Sequence, residues 1–213
     1  MCESFPALER EPKDGDVHIS TAKKLIGRSF FPSVKNRALF FDRDNTLNEN
    51  EGGYIFDPQK IILCAHAREI LHAAYEAGYF IFLVTNQSGV GRGYFSMEDV
   101  HACNRQLVDL IGIPDVFSEI CISTGTSENP DGYRKPSPKF LNEMFARHRL
   151  NPGHCWVIGD SECDMQMASN AGSRGLLLSK GGQPQPLKNS KKICLGHFPD
   201  LMMAWKFIQR IDG

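Results

Sequence analysis

The chain has 213 residues, of which 41 % are hydrophobic and 23 % charged, and its formal net charge is −1. This is ordinary globular composition with enough apolar content for a full core, and the even charge excludes a general attraction to nucleic acid or to an anionic membrane. No apolar run approaches the ~20 residues of a membrane-spanning helix, and the first residues lack the basic and then apolar order of a signal peptide.

The seven cysteines are scattered, with no Cys-x-x-Cys pair. They read as reduced core thiols of a cytoplasmic protein.

Residues 1–35 are polar and without a strong period, an extension in which 23–31 could form a short element. Residues 36–213 read as one domain. Residues 38–41, Ala-Leu-Phe-Phe, are an unbroken apolar run that suits a strand buried on both faces. A Gly-rich loop over 48–58 follows, then a helix on Ala67, Ile70, Leu71 and Ala74 that Gly78 ends. Residues 80–84 are a second strand.

Ser96 and Asp99 form a capping box for a helix through Leu110. Residues 116–122 read as a third strand, and 123–133 as an irregular loop. A helix starts at 134–138 and carries Leu141, Met144 and Phe145; His148 continues its spacing as a packing or surface residue. Residues 155–158 and 175–178 are strands four and five, with a helix from about Ser161 between them. Residues 180–196 read as a loop, and Leu201, Met202, Trp205 and Ile208 mark a last helix. Strands alternating with helices give an α/β class: a Rossmann-like parallel sheet with helices on both faces. The segments between strands leave no room for an inserted cap domain.

The polar residues collect at strand ends. Asp42 and Asp44 follow strand one, Thr85 ends strand two, Lys135 follows strand three, and Asp160 ends strand four with Asp164 a helical turn on. Carboxyl ends of parallel strands share one rim, where ligands bind. Each residue alone has an ordinary explanation: an acidic turn, a strand-end hydroxyl, a solvated lysine, a helix cap, a surface acid. Together, acids without His or Cys suit an oxygen-preferring cation such as Mg²⁺. A lysine and a hydroxyl beside it suit a phosphate.

In this order and spacing, Asp42-Arg-Asp-Asn-Thr46, Thr85, Lys135 and Gly159-Asp160-Ser-Glu-Cys-Asp164 resemble the four motifs of the haloacid dehalogenase superfamily. Residues 84–94, Gly53-Tyr54 and 134–138 look like its heptose-bisphosphate and histidinol-phosphate phosphatases. The resemblance implies a Mg²⁺-dependent phosphatase. Asp42 would be the nucleophile, Asp44 the general acid and base, and Thr85 and Lys135 the holders of the phosphoryl group. The metal would sit on Asp42, the Asp44 carbonyl, Asp160 and Asp164. Substrate contacts would come from Asn50, Glu51, Gly53, Tyr54, Asn86, Gln87, Ser88, Arg92 and Arg134.

The implied substrate is a small phosphorylated sugar, heptose 1,7-bisphosphate first and histidinol phosphate second. A polynucleotide 3′-phosphatase comes third, because the chain lacks a basic strip. A non-catalytic phosphate-binding domain and a phosphotransferase are further alternatives. A monomer or weak oligomer is expected.

The pattern departs from the resemblance in three places. The group's zinc ligands, Cys-x-His and then Cys-x-Cys, correspond here to Cys121, Ser123, Asp131 and Tyr133. One cysteine cannot close a zinc site, so no structural zinc is expected, and the 124–133 loop must be held by its own packing and hydrogen bonds. Asn45 replaces a glycine, which it can do in left-handed geometry. One residue is inserted before the Gly-Tyr pair.

Overall fold

A computed structural model describes residues 19–21, 36–179 and 194–213. In chain order its elements are β1 (Ile19–Thr21), β2 (Ala38–Phe41), α1 (Ala67–Glu76), β3 (Phe80–Asn86), α2 (Ser88–Gly91), α3 (Met97–Ile111) and β4 (Glu119–Ser123). Then come α4 (Lys139–His148), β5 (Cys155–Gly159), α5 (Glu162–Asn170), β6 (Arg174–Leu178), β7 (Cys194–Phe198) and α6 (Leu201–Asp212). The sheet order is β1-β4-β3-β2-β5-β6-β7. Six strands run parallel, and β1 pairs antiparallel with β4 at the edge.

All four residues of β2 are buried, so its side chains serve two cores. Leu39 and Phe41 join Ile81, Leu83, Trp156 and Ile158 on the face covered by α1, α3 and α6. Ala38 and Phe40 join Phe82, Val84 and Val157 on the face covered by α4 and α5. Phe40 stacks on Phe82 with centroids 4.6 Å apart and meets Phe140 edge-on at 6.3 Å. Burying such a ring is worth about 2–3 kcal/mol, which holds the central strand in register.

On the other face, the end of α6 is tied down by buried Asp212. Its carboxylate accepts from Tyr79 Oη at 2.8 Å, Trp156 Nε1 at 3.0 Å and Arg174 at 3.0 Å.

The α3 capping box forms as expected. His148 packs against Phe80 and Phe82, and its ring nitrogen meets the buried Glu119 at 3.0 Å. Among the described residues the connection between β2 and β3 holds α1 and that between β3 and β4 holds α2 and α3, with no cap domain.

The structure corrects several boundaries. Two strands were not expected: β1, from within the extension, and β7, placed in a loop. β7 alternates between half-buried and exposed residues and contains Gly196, so it lacks an apolar signature. Val116 and Phe117 are apolar because they pack into the core ahead of β4, after a left-handed turn at Asp115; they are not strand. Helix α4 begins at Lys139, so Lys135 stands in the approach to the helix and not in its first turn. The possible element at 23–31 lies outside the described residues.

Candidate functional site

Asp42 follows the last residue of β2, Thr85 lies near the end of β3, and Asp160 follows β5. Neighbouring parallel strands in register bring these ends together: Phe41 pairs with Leu83 and with Ile158. Asp164 enters from the first turn of α5, where it closes a capping box with Ser161. Its approach needs Gly159. A Cβ at that position would stand 2.3 Å from the Asp164 carboxyl carbon. Lys135 arrives from the loop after β4, and Asn86 fixes it there by accepting its backbone N–H at 3.0 Å.

The resulting cluster is largely buried and acidic. Lys135 Nζ donates to Asp42 Oδ1 at 2.5 Å and pairs with Asp164 Oδ1 at 2.7 Å, and all three side chains are buried. Oxygens of Asp42, Asp160 and Asp164 lie within 4.8 Å of one another. Burial pushes the Asp42 carboxyl up to about 7; Lys135 opposes the shift, while Asp164 and Asp160 add to it. Asp160 is raised as well, first by burial and then by Asp164. Burial would depress Lys135, but Asp164 and Asp42 outweigh it and drive it up, so it stays charged. Three carboxylates facing one ammonium leave an excess of negative charge, and an all-oxygen donor set of this kind fits a hard divalent cation.

Asp44 is held apart from that cluster. Its carboxylate accepts from Arg43 at 3.1 and 3.2 Å, from Asn48 at 3.2 Å and from Gln87 at 3.0 Å. Arg43 is fully buried and also donates to Asn104 of α3 and to the Ile55 carbonyl. Asn45 takes the left-handed conformation, φ 58°, as expected from its replacing a glycine.

The expected substrate contacts divide into two sets. Asn50, Glu51, Gly53, Tyr54 and Ser88 lie along the rim, where Asn50 closes a turn onto Gly52 and Gly53. Tyr54 Oη meets Ser88 Oγ at 3.2 Å.

The side chains of the second set reach protein partners instead. Both ends of the Asn86 amide bind the Lys135 backbone, and buried Gln87 binds Asp44 and Thr85. Arg92 pairs with Glu128 at 3.2 Å, and Arg134 donates to the Gly125 carbonyl at 2.9 Å. Adjacent amides at a strand end, as at Asn86 and Gln87, look alike in sequence, whichever way their side chains turn.

The loop with the missing cysteines is organised by Asp131. Its carboxylate accepts from Ser123 Oγ and from the backbone N–H groups of Thr124, Gly125, Tyr133 and Arg134, all at 2.8–3.0 Å. Burial would raise its pKa, but the bonds from Gly125, Ser123, Tyr133 and Thr124 prevail and hold it below the usual carboxylate range. The expectation of a loop held by its own hydrogen bonds thus has a specific centre. Arg43 and Asp131 were the functional neighbours that sequence reasoning missed. The only signal was an arginine set between two acids, and an acid standing where a ligand cysteine was sought.

Fold and site together define a phosphoryl-handling hydrolase on a Rossmann-like sheet. A HAD-hydrolase-like family model matches residues 132–198. A heptose-1,7-bisphosphate 7-phosphatase of Burkholderia mallei is 34 % identical over 157 residues, covering 68 % of this chain and 80 % of that protein. The corresponding phosphatase of Chlorobaculum tepidum is 30 % identical over 179 residues, covering 77 % and 87 %. The crystal structure of D,D-heptose 1,7-bisphosphate phosphatase from B. bronchiseptica, in complex with magnesium and phosphate, superposes with a TM-score of 0.74 at 21 % identity, over 82 % of this chain and 99 % of that one. The chain belongs to the haloacid dehalogenase-like phosphatases, phosphoric monoester hydrolases of the capless architecture described above. No helix among the described residues is long and apolar enough to cross a membrane.

Proposed function

We propose that this protein is a cytoplasmic, Mg²⁺-dependent phosphatase that removes a phosphate from heptose 1,7-bisphosphate or a closely related sugar phosphate. The observation that carries the reading is buried Asp42, paired with Lys135 and gathered with Asp160 and Asp164 into one acidic cluster at the strand ends. The names of the relatives carry the substrate.

Asp42 attacks phosphorus and holds the phosphoryl group as an aspartyl-phosphate. Asp44 gives a proton to the departing oxygen and then takes one from the attacking water. Arg43, Asn48 and Gln87 keep its carboxylate aimed while it does so. Thr85 and Lys135 hold phosphoryl oxygens as charge moves onto them. Asp42, Asp160 and Asp164, with the Asp44 carbonyl, would hold Mg²⁺. The ion would supply the positive charge that lets an anionic nucleophile meet an anionic phosphate.

The Asp131 hub would hold the 123–134 loop without zinc, and a monomer suffices for the chemistry.

The test is phosphate release by the purified protein, with Mg²⁺ and with EDTA. The panel is heptose 1,7-bisphosphate, histidinol phosphate, other sugar phosphates and a 3′-phosphorylated oligonucleotide. Mg²⁺-dependent release with the heptose preferred is the expected result. Preference for another phosphomonoester keeps the chemistry and rejects the substrate; no release from any of them rejects the phosphatase.

A further inference from the structure

Beside Asp44 the rim carries a shelf of aromatic rings. Tyr54 and Phe56 come from the 48–58 loop; Tyr94 and Phe95 come from the turn between α2 and α3. Phe95 is the buried footing. Phe56 stacks on it with centroids 5.5 Å apart and planes 14° apart, and Tyr54 leans on it at 5.4 Å. Gly89 makes room for that footing, since a Cβ there would fall 2.0 Å from the Phe95 ring. Tyr94 meets Tyr54 at 5.7 Å and 61°. Yet Tyr54 is 40 % exposed, Phe56 46 % and Tyr94 63 %. Neighbouring exposed rings of this size mark a contact surface more often than a core.

The shelf is tied to one side of the site. Tyr54 Oη meets Ser88, the residue after Gln87, and Gln87 donates to Asp44. The Ile55 carbonyl, between Tyr54 and Phe56, accepts from Arg43, the other anchor of Asp44. Lys135, by contrast, reaches Asp42 and Asp164. In the reaction proposed above, Asp44 protonates the departing oxygen, so the leaving group must lie on the Asp44 side.

We propose that Tyr54, Phe56 and Tyr94 form a subsite that packs the C–H face of a pyranose ring in the leaving group. This rests on the function proposed above and deepens it. Aromatic faces suit such an apolar ring face, while the tyrosine hydroxyls stay wet. The 61° angle between Tyr54 and Tyr94 leaves no parallel-walled slot for a planar base. The net charge of −1 offers no track for a nucleic-acid backbone.

Binding can be read apart from turnover in an Asp42→Asn background with Mg²⁺, by calorimetric titration. The probes are heptose 1,7-bisphosphate and the open-chain heptitol 1,7-bisphosphate, which keeps both phosphate positions without a ring. Adding Tyr94→Ala should weaken the heptose about tenfold and leave the heptitol unchanged, and Tyr94→Phe should restore the heptose. Because Tyr94 is mostly exposed, its truncation leaves the core intact. Equal effects on both probes, no effect on either, no binding of the ring probe, or tighter binding of a 3′-phosphorylated oligonucleotide would overturn the subsite. A ring-selective loss together with a wild-type protein that releases no phosphate would keep the subsite and reject the phosphatase.

Discussion

Asp42 and Asp131 are both carboxylates at the carboxyl edge of the sheet, and their surroundings push them in opposite directions. Asp42 is raised to about 7 because it is buried among other acids with one shared lysine. Asp131 is lowered because five donors converge on it. An ion held against its own preference is available for chemistry or for a cation. An ion whose every oxygen is satisfied is a structural tie. The same residue type therefore does opposite work 89 positions apart, a separation that follows from the two residue numbers.

The largest test of this contrast removes the charge at each end. Asp42→Asn deletes the proposed nucleophile and relieves like-charge crowding. Turnover should fall by about 10⁴-fold or more, while the melting temperature holds or rises. A mutant with full activity would break the contrast at its functional end.

Asp131→Ala should do the reverse. It strands backbone N–H groups in a half-buried loop, at a cost of roughly 2–3 kcal/mol, read as a lower urea midpoint with an unchanged slope. Activity should drop less than for Asp42→Asn, through displacement of Lys135 at the end of the loop. An unchanged midpoint would show that Asp131 is not the tie described here.

The smallest effect is on pH. The folded pKa of Asp131 lies below its unfolded value of about 3.9. Its stabilising contribution is therefore complete at neutral pH and is lost as pH falls below about 4, through the folded value. Acid unfolding curves of wild type and Asp131→Ala should converge below that range. Curves that remain parallel would remove the ionised carboxylate from the explanation.

Much of the centre was legible because the sheet leaves no freedom there. An apolar run ended by Asp42 and Asp44, strand ends at Thr85 and at Gly159-Asp160, and Lys135 before a helix all follow from periodicity and order. A parallel sheet then brings them to one rim. The periphery was less legible. β7 lacked a pattern because its edge position buries only alternate residues partially. Val116 and Phe117 resembled strand because core loops can be as apolar as strands.

The sequence by itself determined the sheet, the acid set and the resemblance to a phosphatase, since those depend on local pattern and on chain order. Only the tertiary structure decided which side chains are available. It turned Gln87 inward to Asp44 and buried Arg43 beside it. It gathered the N–H groups of four residues onto Asp131 and left Tyr54, Phe56 and Tyr94 facing outward. Hydrogen bonds and burial are settled by distances across the fold, and no spacing along the chain encodes which of two polar neighbours will find a partner first.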